Sequence, residues 1–179
     1  MPALPPTPDH LLEIYLADHL AAATAGVELA RRSARRNTGT AFGAILHRLA
    51  GEIEADRRAL QQIIEQLGFR PSKTKEAAAW VGEKVGRLKL NGQIRGYSPL
   101  SRVLELEALS VGVAGKLALW ESLLTTTRIG GRLVGIDLEE LAERARGQRD
   151  EIEECRLRAA REAFDGRTGQ ARAAPVDDH

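Results

Sequence analysis

Apolar residues recur along this chain at alternating spacings of three and four, in four long stretches. Each stretch predicts an amphipathic helix. The second carries Phe42, Leu46, Leu49, Ile53, Leu60, Ile63 and Leu67, with Asp56 set in the same seam. The third carries Val103, Leu106, Ser110, Val113, Leu117, Trp120 and Leu124. The fourth carries Leu138, Leu141, Ala145, Gln148, Ile152, Cys155 and Ala159. The first is apolar over a wider arc, with Leu12, Leu16, His19, Ala23, Gly26 and Ala30 as one seam.

Capping residues set the expected limits. Thr7-Pro8 reads as an N-cap followed by proline at the first helical position, which starts a helix over 9–36. Arg31, Arg32, Arg35 and Arg36 suit its C-terminal end. A second helix over 40–67 stops at Gly68. Ser98-Pro99 opens a third over 99–127, and Asp137 with Glu140 opens a fourth over 138–164 by capping-box logic. The Pro-rich residues 1–8 predict an extended lead-in, and 165–179 a flexible tail.

The connections decide the architecture. Short links make each helix pair an antiparallel hairpin. Residues 69–97 form a crossover long enough to travel back along helices of about 40 Å. It contains Pro71, Gly82, Gly86, Gly92 and Gly96, with room for a short helix near 75–87. Asn91-Gly92 marks a turn, either a plain one or one joining two short strands over 87–96. The predicted fold is an all-α four-helix bundle: two antiparallel hairpins joined by a long crossover.

Polar residues inside apolar seams need partners, because an unpaired buried polar group is costly. Helix lengths counted from the turns set His19 beside Asp56 and Lys116 beside Gln148, with the second and third helices parallel. This predicts a mid-bundle polar layer of His19, Asp56, Lys116 and Gln148, centred on Asp56.

Composition narrows the class. The 179 residues are 43% hydrophobic and 28% charged, with 4% aromatics, which excludes a disordered or disulfide-stapled chain. A lone cysteine, Cys155, sits in the fourth seam and reads as a small core hydrophobe. No signal peptide and no apolar run of about 18 residues is apparent, so the expectation is a cytoplasmic protein without membrane spans. Phosphate loops, nucleophile elbows, zinc spacings and dinucleotide fingerprints are absent from the sequence.

The helix pattern, the long crossover and the wording EIEADRRALQQIIEQLGFRP of the second helix resemble the ferritin-like superfamily over roughly 9–164. That resemblance implies a homo-oligomer, dimeric or larger. Active members hold two iron or manganese ions with glutamates and Glu-x-x-His pairs. Here the pattern is degenerate. Glu52 is followed by Ala55 where histidine is needed, and Glu143 by Arg146. Glu151 is followed by Glu154, and His47 is preceded by Ala44. The remaining candidate metal ligands are His19, Glu52 and Asp56, with Glu28 and Glu107 further off. The expectation is no cofactor and a non-catalytic binding or assembly role. The alternative is a di-metal oxidase or metal-storage protein with unusual ligands.

Charge adds a third reading. Residues 70–102 hold eight basic and two acidic residues, net +6, while the rest of the chain sums to −5. Lys73, Lys75, Lys84, Arg87, Lys89 and Arg95, with Trp80 and Tyr97 nearby, would suit an anionic partner such as nucleic acid. Docking onto acidic faces of the same protein is the simpler use of the same charge.

Overall fold

A computed structural model describes residues 5–69, 97–126, 129 and 131–165. Among the described residues, four helices, α1 (Pro8–Arg36), α2 (Gly43–Gln66), α3 (Pro99–Leu124) and α4 (Leu138–Phe164), are present, with no strand. No helix is long and apolar enough to cross a membrane among those residues. The short helix expected near 75–87 and the turn at Asn91-Gly92 lie outside the described residues. So do the basic positions Lys73, Lys75, Lys84, Arg87, Lys89 and Arg95.

Helix ends follow local chemistry. The Thr7 hydroxyl accepts from the His10 amide at 3.3 Å, with Pro8 next in the chain. Ser98 and Ser101 cap each other reciprocally at the start of α3. Asp137 Oδ1 accepts from the Glu139 and Glu140 amides at 2.9 and 3.0 Å. At the end of α2, Gly68 takes φ +74°, and the Phe69 and Gly68 amides return to Ile64 and Glu65 carbonyls. That is the hydrogen-bond pattern of a Schellman cap.

Two limits differ from the sequence expectation. The second helix begins at Gly43, not at 40, because residues 37–42 form a tighter turn built around Asn37. Asn37 is buried, and its Nδ2 donates to the Ser33 carbonyl at 2.8 Å. The third helix ends at Leu124 rather than 127; the Thr125 and Thr126 hydroxyls bond the Ser122 carbonyl there.

Side-chain pairs fix the directions. Arg48 meets Glu151, Glu52 meets Gln148 and Asp56 meets Arg144, so α2 and α4 are antiparallel. Arg102 meets Glu162 and Lys116 meets Gln148, so α3 and α4 are antiparallel too. Tyr15 meets Ser122 and Arg32 meets Glu105, which runs α1 against α3. It follows that α2 and α3 are parallel.

The apolar core is divided. One cluster gathers Val27, Leu46, Ile53, Val113 and Ile152, among others; a second gathers Leu16, Leu60, Leu117, Trp120 and Ala145. The break falls between Ile53 and Leu60, between Val113 and Leu117, and between Ala145 and Ile152. Asp56, Lys116 and Gln148 occupy that interval.

Candidate functional site

Asp56 is 1% exposed, and both of its carboxylate oxygens are engaged. Lys116 Nζ and Gln148 Nε2 donate to Oδ2 at 2.5 and 3.2 Å. Arg144 donates to Oδ1 twice, through Nε at 2.9 Å and a terminal nitrogen at 2.6 Å. Charge-assisted bonds of this kind are short and strong. They also offset the desolvation of a carboxylate at the centre of the bundle.

Gln148, 2% exposed, links the charges. Its Oε1 accepts from Lys116 and its Nε2 donates to both Glu52, at 3.2 Å, and Asp56. Only this amide orientation works, since an ammonium can only donate and a carboxylate only accept. Glu52 accepts from Arg48 at 2.7 Å on its other oxygen, and Arg48 reaches on to Glu151. The network therefore balances Asp56, Glu52 and Glu151 against Lys116, Arg144 and Arg48. Burial holds the Lys116 ammonium below the ordinary lysine range, while Asp56 beside it opposes that shift.

The structure thus brings Asp56, Lys116 and Gln148 together, and adds Glu52 and Arg144. His19 stands apart from the bonded network. Its ring contacts Tyr15 edge-on, centroids 4.6 Å apart, and makes no hydrogen bond to Asp56. The reason is the six-residue turn at 37–42. Counted from that turn, Ala23 rather than His19 matches Asp56, an offset of about one helical turn, although His19 and Asp56 line one cavity. Burial lowers the His19 pKa from its ordinary 6.5, with Asp18 acting in the other direction.

The donor set does not fit a metal ion. Every carboxylate oxygen of Asp56 and Glu52 already accepts a hydrogen bond, and three of the donors are cations. Glu28 and Glu107 are exposed and pair with Arg31 and Arg156 at 3.6 and 3.7 Å. Among the described residues, no group of three or more His, Cys, Asp or Glu side chains is placed to hold a metal. Cys155 is buried in the core, which pushes its thiol pKa up and disfavours the reactive thiolate.

A second buried network was not anticipated from sequence. Glu105 on α3 accepts from Arg32 at 3.2 Å, Arg36 at 3.4 Å and the Tyr97 hydroxyl at 3.2 Å. Asn37 donates to Tyr97 at 2.6 Å and accepts from Arg102, also at 2.6 Å. Arg102 and Arg158 lie over the Phe42 ring, 4.5 and 4.9 Å from its centroid. The arginines that suit a helix end in sequence terms therefore also tie α1 to α3.

Between α1 and α3 lies a cavity of about 550 Å3. Its walls are small and apolar. Ala22, Ala23 and Gly26 come from α1, and Ala108, Gly112 and Gly115 from α3. A Cβ added at Gly26, Gly112 or Gly115 would meet nothing within 4 Å. These glycines permit close backbone approach in principle, yet inside this chain they border open space. Asp56, Arg57, Glu107, Lys116, His19 and Trp120 also line the cavity. Trp120 is 1% exposed, and its indole N–H has no hydrogen-bond partner among the described residues.

Compared with known protein families, curated proteins and solved structures, the chain matches none of them significantly.

Proposed function

We propose that this chain is a ferritin-like bundle that acts by binding or assembly rather than catalysis, with a charge network at the level where active members hold their metals. One observation carries the reading. Both oxygens of Asp56 are taken by Lys116 and Arg144, cations that supply the positive charge a metal pair would bring. The spacing of Glu52 to Ala55 and of Glu143 to Arg146 supports it, since both lack the histidine of the metal-binding pattern. Homo-oligomer formation belongs to the same reading and rests on the resemblance.

The test is metal loading. Purified protein is incubated anaerobically with ferrous or manganous salt, desalted and analysed for metal. The expected content is far below one ion per chain, and the same in Asp56→Asn. Retention of about two ions per chain, lost in Asp56→Asn, would overturn the proposal in favour of a di-metal protein.

A further inference from the structure

The cavity between α1 and α3 has the features of a ligand site. Its volume, about 550 Å3, lies in the range of small-molecule pockets. Its walls are largely apolar. From Leu20 to Val27 α1 carries no charged residue, and from Ala108 to Trp120 α3 carries only Lys116. Val111, at the cavity's edge, is 73% exposed. An apolar surface of this kind left to water is the usual mark of a binding site.

Two donors at the cavity lack acceptors. The Lys116 ammonium has three N–H groups. It gives one to Asp56 and one to Gln148, and the third has no partner among the described residues. The indole N–H of Trp120 is the other. The Trp120 N–H is buried, and the Lys116 side chain is 13% exposed on the cavity, so an acceptor oxygen bound there would satisfy donors that the protein leaves open.

Charge selects the kind of oxygen. Asp56, Glu52 and Glu151 already balance Lys116, Arg144 and Arg48. An anionic head would be buried beside Asp56, and Arg57, the further cation lining the cavity, already pairs with Glu54 at 2.9 Å, whereas a neutral oxygen needs no cation. We propose that the α1–α3 cavity binds a neutral amphiphile, with an apolar chain along the Ala and Gly walls and a hydroxyl or carbonyl oxygen accepting from Lys116. This rests on the binding reading above and gives it a ligand class.

The probes are 1-decanol and decanoate, equal in chain length and different in head charge. Trp120 and Trp80 are the two tryptophans, so full-length Trp80→Phe leaves Trp120 as sole reporter. Expected is a saturable change in Trp120 emission with 1-decanol, and binding of decanoate weaker by about tenfold or more. Gly112→Leu and, from the opposite wall, Gly26→Leu fill the cavity without meeting other atoms at Cβ. Each should keep the helical circular dichroism and lose 1-decanol affinity by about tenfold or more.

No saturable change with 1-decanol would overturn the proposal. So would unchanged affinity in both filled variants, or tighter binding of decanoate. A stable dimer that Gly112→Leu converts to monomer, with no 1-decanol response, would make the cavity a subunit interface instead. Metal retention in the loading experiment would sink the non-catalytic reading while leaving this titration to stand or fall by itself.

Discussion

A polar residue in an apolar stripe carries more information than any other position in this chain. Asp56 and Gln148 can be singled out because each interrupts a periodic seam, and Lys116 because helix counting sets it beside Gln148; the three are hydrogen-bonded in the structure. Arg144 could not be singled out in that way. An arginine at a seam edge reads as solvated, and its long side chain hides the inward reach. Its one signal is position, four residues before Gln148 and so on the same helix face. His19 offers a residue-scale test. Its folded pKa lies below the ordinary 6.5, so the unfolded chain takes up that proton at higher pH than the folded protein. The stability this gives is fully present above 6.5 and is lost as pH falls through the folded value. Urea midpoints should therefore fall more steeply in wild type than in His19→Gln as pH drops below 6.5. A His19 titration at or above 6.5 by NMR would contradict this.

At the scale of elements, caps and seams were legible and turn length was not. Thr7, Gly68, Ser98 and Asp137 mark helix ends by chemistry that belongs to a few adjacent residues. The turn at 37–42 is held instead by Tyr97 and Arg102, about sixty residues away along the chain. No local reading reaches such a contact, and a difference of a few residues there offsets His19 from Asp56 by about one turn in helix counting. The turn also explains Gly43. A Cβ at that position would lie 2.6 Å from the Asn37 carbonyl oxygen. Asn37 is pinned by its neighbours, so the backbone has little freedom to yield. Gly43→Ala should destabilise the protein by about 1–3 kcal/mol. Gly112→Ala, on an open helix face, should instead stabilise by up to about 1 kcal/mol. Chemical denaturation of the two variants checks both signs, and equal effects would refute the difference in their surroundings.

For the whole molecule, a near-neutral net charge conceals an uneven distribution, +6 over 70–102 and −5 elsewhere. The described residues show one use of charge that such arithmetic misses: balanced groups turned inward at mid-bundle, dividing the apolar core in two. Ala-rich seams with few aromatics favour closely packed helices. The structure packs α1 on α2 and α3 on α4 in that way, but leaves the α1–α3 seam open as a cavity. Stripe periodicity cannot distinguish a face that is covered from one that waits for a ligand.

On the proposed reading, Asp56 and Lys116 hold the middle of the bundle as a charge pair that needs no metal. A double-mutant cycle measured by urea unfolding in chelator tests it most directly. Lys116→Met alone should cost about 3 kcal/mol, because it leaves Asp56 with less compensation. Asp56→Leu combined with Lys116→Met should recover much of that loss, since apolar groups can replace a buried pair at little cost. The expected coupling between the two sites is about 1–3 kcal/mol. Additive effects within about 0.5 kcal/mol, or stability that appears only when iron or manganese is added back, would contradict it.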